Sequence, residues 1–213
     1  MRQLKVLVGC EESQEVTKAF RALGHEAYSC DLQYCSGGRP DWHIMHDVLD
    51  VANLGFWDLG IFHPPCTYFS RAAGRWLYSP ERLPKTYKAF DFWMKLWSSP
   101  IEYKAFENPP GWLCTNWKKP NQKVHPWHFG DGEMKETCLW LHNLKPLIPN
   151  LEIVSNPLKY QPKPLSSRMG SDGKIKNKYF VSRMTNAKDR AKTFPGIAKA
   201  MADQWSRHIL NHL

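Results

Sequence analysis

The strongest constraint on this 213-residue chain is its opening, where two short apolar runs flank one amphipathic stripe. Lys5-Val6-Leu7-Val8 runs to Gly9, and Ser13 offers a side-chain oxygen to cap a helix. Val16, Ala19, Phe20 and Leu23 recur three and four apart, the inner stripe of such a helix, and Gly24 provides its stop. Glu26-Ala27-Tyr28-Ser29-Cys30 then reads as a second strand. Strand, helix, strand in thirty residues is a right-handed crossover in a parallel sheet.

The theme repeats. Trp57 to Phe62 reads as a strand broken by His63-Pro64-Pro65, and Lys85 to Trp97 as a helix between prolines. Ile101 to Phe106 is a further strand, stopped by Glu107-Asn108-Pro109-Pro110, and Thr137 to Leu141 a late one. Residues 145–192, rich in Pro, Lys, Ser and Gly, read as loops or short hairpins over the surface. Ile197, Ala200, Met201, Trp205, His208 and Ile209 line one face of a closing helix. With no internal repeat and no second core, the expectation is one α/β domain over residues 1–213: a single mostly parallel sheet with helices on both faces.

Hydrophobic residues at 42% and charged residues at 23% are ordinary for a soluble domain, and no apolar run approaches the ~20 residues of a membrane span. Glu11-Glu12 follows the first apolar run too closely for a signal peptide. The six cysteines (10, 30, 35, 66, 114 and 138) follow no disulfide framework, so reduced thiols and a cytoplasmic location are expected. Cys30, Cys35, His43 and His46 have a spacing that could hold zinc, but no tight knuckle is present and Cys30 falls in a strand; no metal is expected.

Charge is unevenly spread. Residues 1–107 carry 12 Lys/Arg against 13 Asp/Glu, whereas residues 108–213 carry 17 against 7. A neutral half joined to a strongly basic one suggests a phosphate-facing surface. Lys174, Lys176 and Lys178 alternate ahead of Tyr179-Phe180, with Arg183 beyond, a pattern suited to phosphate contact.

Ligands of open parallel sheets sit outside the carboxyl ends of the strands, and three of those ends carry unusual residues. Gly9-Cys10-Glu11-Glu12-Ser13 is a tight loop opening onto a helix, with Asp31 about 20 residues on, an arrangement suited to an adenosine-type ligand. Its glutamates disfavour a pyrophosphate and suit a ligand with a positive centre. His63-Pro64-Pro65-Cys66 places a thiol in a stiff loop, as a covalent nucleophile requires. Glu107 ends an apolar strand among dehydrating neighbours, where its pKa is expected to rise.

Together these segments resemble the catalytic core of DNA cytosine-5 methyltransferases, closest to short phage-type forms. The resemblance rests on Pro65-Cys66-Thr67-Tyr68-Phe69-Ser70, on Glu107-Asn108-Pro109 where the family has Glu-Asn-Val, on Phe129-Gly130 to Thr137, and on the acids Asp31 and Asp47. It spans about residues 5–142. It implies a Rossmann-like S-adenosylmethionine-dependent methyltransferase fold and a covalent mechanism at carbon-5 of cytosine. Cys66 would be the nucleophile, Glu107 would bond the ring, and Lys135 stands where the family has an arginine pair. Gly9, Cys10, Glu11, Ser13, Asp31, Asp47 and Pro64 would bind S-adenosylmethionine, and Ser70 and Arg71 would join Lys174, Lys176, Lys178 and Arg183 on DNA. The family's Gly-rich first loop is here Val8-Gly9-Cys10-Glu11-Glu12, and its large target-recognition domain is missing. Three alternatives stand beside this reading: an amino-group methyltransferase, a catalytically idle nucleic-acid-binding domain, and a pyrimidine-5 enzyme acting on a nucleotide or with a variant cofactor. The first expects an acid or amide where His63 stands and an aromatic where Cys66 stands.

Overall fold

The computed structural model describes residues 2–71, 76, 78–178 and 192–213, with the backbone alone for 176–178. Nine strands are present among them: β1 (Lys5–Gly9), β2 (Glu26–Asp31), β3 (His43–Met45), β4 (Leu59–Phe62), β5 (Tyr103–Asn108), β6 (Gln122–Val124), β7 (Thr137–His142), β8 (Ser166–Met169) and β9 (Ile175–Lys178). The helices are α1 (Glu15–Ala22), α2 (Val48–Ala52), α3 (Leu83–Trp97), α4 (Trp112–Asn116), α5 (Leu151–Ser155), α6 (Pro157–Tyr160) and α7 (Pro195–Leu210).

Seven strands form one sheet in the order β3-β2-β1-β4-β5-β7-β6, and β8 pairs with β9 apart from it. The first five are mutually parallel; β7 runs antiparallel to both β5 and β6. The result is an α/β fold compatible with a Rossmann-like one. From β1 the chain winds outward through β2 and β3, then returns to the other side as β4. The order therefore reverses between β1 and β4, and the carboxyl ends of these two strands flank a switch-point crevice.

Strand alternation explains why helices cover both faces. Val6 and Val8 of β1, Leu59 and Ile61 of β4, and Leu139 and Leu141 of β7 join the core under α1 and α7, with Phe20, Met201 and Trp205. Their neighbours Leu7, Phe62, Cys138 and Trp140 join the opposite core, with Trp93, Leu96, Phe69 and Trp112. A strand apolar on both faces is stable only when both are covered.

The structure corrects several sequence expectations. Ser13 does not cap α1; the buried Glu11 does, accepting from Val16 N–H (2.6 Å), Thr17 N–H (3.2 Å) and the Thr17 hydroxyl (2.8 Å). A carboxylate at a helix N-terminus also meets the positive end of the dipole. Leu23 lies past the helix, half exposed. Trp57 precedes β4 and is buried with its indole N–H on the Val51 carbonyl (2.7 Å). β5 does not stop at Phe106 but continues through Glu107 and Asn108, which pair with Leu139 and Cys138 of β7. The short elements β3, α2, α4 and β6 lack a sequence periodicity long enough to announce them. No helix among the described residues is long and apolar enough to cross a membrane.

Candidate active site

The Cys66 loop leaves β4 at His63, whose N–H donates to the Gly9 carbonyl (3.0 Å). Cys66 then opens a tight turn, its carbonyl accepting from Phe69 N–H (3.0 Å) and Ser70 N–H (2.9 Å). Phe69 is buried, its ring 6.1 Å from those of both Trp93 and Trp112. Three elements clamp the turn. From α3, Thr86 donates to the Tyr68 carbonyl (3.4 Å), and just before it Arg82 donates to the Thr67 carbonyl. From β5, the Asn108 amide donates to the Pro64 carbonyl (2.7 Å). From the segment after β5, Trp112 N–H donates to the Phe69 carbonyl (2.8 Å), and Ser70 forms a β-bridge with Gly111. A Cβ on Gly111 would lie 1.8 Å from the Phe69 oxygen, so only glycine permits this approach. Cys66 itself is exposed at the tip.

Glu107, the penultimate residue of β5, lies beside this loop. Its carboxylate meets His63 Nδ1 (3.4 Å), in a largely buried pair, and is bonded by Thr137 and faced by Lys135. Burial alone would raise its pKa, as the sequence led us to expect. The His63 bond, the Lys135 ammonium and the Thr137 bond outweigh that cost, so the pKa is lowered and Glu107 is ionised. Cys66 moves the other way: partial burial of the thiol and the Glu107 carboxylate push it up, only partly offset by Lys135. The resting state is a thiol and an ionised carboxylate that both feel the Lys135 charge.

The neighbouring β1 end is built on Gly9, where a Cβ would meet Val48 at 2.5 Å and Phe62 at 2.6 Å. Cys10 follows with a left-handed φ of 58°. Burial pushes its thiol up, and Asp31, Cys30 and Asp47 add to the shift in that order. Asp31 accepts from Gln33 N–H (2.9 Å), and Asp47 caps α2 through Leu49 N–H (2.9 Å). Cys10, Glu11, Glu12, Ser13 and His63 wall a small cavity closed by Lys192 and Thr193.

The fold thus gathers Cys66, Glu107 and Lys135 at one point and Gly9, Cys10, Ser13, Asp31 and Asp47 beside it. Two expected cofactor residues have other commitments: Glu11 turns inward as the α1 cap, and the Pro64 carbonyl is taken by Asn108. Ser70 and Arg71 continue the Cys66 loop, Arg71 exposed and its N–H on the Pro110 carbonyl (3.3 Å). Lys174 lies on the separate β8–β9 hairpin; Arg183 falls outside the described residues. Of the possible zinc set, Cys30 is buried in β2 with its thiol on the His46 carbonyl, and both His43 nitrogens are engaged by Ser29 and Gln33.

The sequence reading gave no site role to His63, Asn108 or Thr137. His63 was findable, as a titratable residue immediately after a strand. It links the two halves of the site: Nδ1 on Glu107, and Nε2 buried with no hydrogen-bond partner among the described residues. Thr137 becomes legible only through the β5–β7 register. No family model matches the chain, and no curated protein matches it.

Proposed function

We propose that this chain is an S-adenosylmethionine-dependent DNA methyltransferase acting on carbon-5 of cytosine through a covalent Cys66 adduct. The carrying observation is the convergence of an exposed thiol and a buried, ionised carboxylate at the ends of adjacent strands, beside the switch-point crevice. The seven-stranded, mostly parallel sheet is compatible with the Rossmann-like methyltransferase fold.

The crevice suits the cofactor. Asp31 and Asp47 offer carboxylates to ribose hydroxyls, the acidic lining favours a positive centre, and the orphaned His63 Nε2 provides a buried polar atom. S-adenosylmethionine, when bound, supplies the methyl group. The chain's own residues do the rest. Cys66 Sγ adds to carbon-6 of an unstacked pyrimidine as its proton passes to Glu107, and from there to ring N3. The former double-bond pair then makes carbon-5 nucleophilic. His63 and Thr137 hold the carboxylate in place, and Lys135 balances its charge. Loss of the carbon-5 proton to a base lets Cys66 depart with its electron pair, and return of the N3 proton to Glu107 restores the neutral ring.

The test is mass spectrometry of nucleosides from DNA incubated with protein and S-adenosylmethionine. A 5-methylcytosine product, a covalent complex with 5-fluorocytosine DNA, and neither in Cys66→Ser are expected. A methylated exocyclic amine would support the amino-group alternative; product only from free nucleotides would remove DNA as substrate.

A further inference from the structure

The β8–β9 hairpin is anomalous. It stands apart from the main sheet, and all four residues of β8 are exposed. An isolated two-stranded hairpin is marginal in water. The turn is nonetheless well formed: Gly170 N–H donates to the Lys174 carbonyl (2.8 Å), Gly173 N–H to the Gly170 carbonyl (3.0 Å), and Gly173 takes a left-handed φ of 72°. Met169 and Ile175 stand directly opposite each other, yet are 68% and 66% exposed. An ordered ribbon holding apolar side chains in water is built to be covered by something else.

Its chemistry says by what. In sequence, residues 166–178 carry Arg168, Lys174, Lys176 and Lys178 against one acid, Asp172, a balance that suits a polyanionic partner. Residues opposite each other in an antiparallel ladder share a face. By register, Ser166–Lys178 and Arg168–Lys176 form one face, and Ser167–Asn177 and Met169–Ile175 the other. The first is cationic. The second combines a hydroxyl, an amide and two apolar groups, the set that reads base edges: amide to adenine, apolar groups to the thymine methyl. The major groove of B-DNA, about 12 Å wide, admits a two-stranded ribbon. Like charges along the cationic face oppose pairing between two copies of the chain. The chain re-enters the described fold at Lys192 and Thr193, in the wall of the His63 cavity.

We propose that this hairpin enters the major groove of duplex DNA, its Ser167/Met169/Ile175/Asn177 face reading bases and its lysines contacting phosphates. The inference rests on the DNA reading above and assigns recognition to thirteen residues, 166–178.

The experiment uses the full chain on randomised duplexes, with dimethyl sulfate probing of guanine N7 in the major groove and nucleoside mass spectrometry in parallel. Met169→Ser/Asn177→Ala should lose roughly 5- to 100-fold of the preference between best and worst flanking sequences. Lys174→Ala/Lys178→Ala should weaken all duplexes alike and lower the salt slope by about two. N7 protection beside the target should vanish when residues 168–176 are replaced by a short Gly-Ser turn. Methylated cytosine with unchanged context and N7 pattern in these variants would overturn the ribbon and leave the reaction standing. Ribbon-dependent N7 protection with no modified cytosine would sustain the ribbon and sink the reaction. Variants that alter only the oligomeric state would make the ribbon a self-association element and overturn the proposal.

Discussion

The Cys66 loop and the β8–β9 hairpin both lie outside the main sheet, yet they are held in opposite ways. The loop is clamped from α3, from β5 and from the Gly111 segment, and its Phe69 is 1% exposed. The hairpin has its own ladder and turn, while β8 buries nothing. Chemistry needs the first arrangement, because a nucleophile must be positioned before its target arrives. Recognition tolerates the second, because the partner can supply the missing burial when it binds. The difference between them is open to experiment.

The largest effect should come from Phe69→Ala. Its ring fills the space between Trp93 and Trp112, so truncation should cost about 3–5 kcal/mol of folding stability. Chemical denaturation would measure it. A loss below about 1 kcal/mol would mean that the loop is not anchored through this ring, and the contrast with the hairpin would collapse.

Glu107→Gln should lower turnover by roughly 10²- to 10³-fold, the loss usual for one group that stabilises developing charge. The same change should make Cys66 more acidic. The Glu107 carboxylate is the second cause, after burial, of the raised thiol, so its removal moves the midpoint down. Lys135→Ala removes a charge that lowers the thiol and should move the midpoint up. Iodoacetamide labelling of the Cys66 peptide across pH reads both shifts. A midpoint that stays put in Glu107→Gln would show that the carboxylate does not face the thiol in solution. A variant with a more reactive thiol and a slower reaction would separate the nucleophile's acidity from the carboxylate's role.

How far the sequence disclosed this site depended on the range of the forces involved. β1, α1 and β2 follow from local periodicity, and Cys66 and Glu107 stand out because prolines mark the ends of their strands. The N-cap of α1 misled, because Ser13 satisfies the local rule while Glu11 reaches five residues ahead to do the work. The pKa of Glu107 misled for a similar reason. Burial is readable from an apolar strand, but the imidazole 44 residues earlier and Thr137 on an antiparallel neighbour are not. Short β3, α2 and β6 owe their existence to the sheet and its coverage, not to their own propensities.

The smallest effect should fall on the hairpin. Met169→Ser/Ile175→Ser removes two apolar side chains, a change that in either core would cost several kcal/mol. Here both are about two-thirds exposed, so without DNA the stability should stay within about 0.5 kcal/mol of the wild type. Adding duplex should reveal the difference. The wild-type hairpin amides should become protected from hydrogen exchange, because bound DNA excludes water from the ribbon, whereas the double variant should gain less protection at equal occupancy. A cost of 2 kcal/mol or more in the free protein would mean that the ribbon packs against the fold in solution. The hairpin would then be held as the Cys66 loop is, and its exposed face would not be available to a groove.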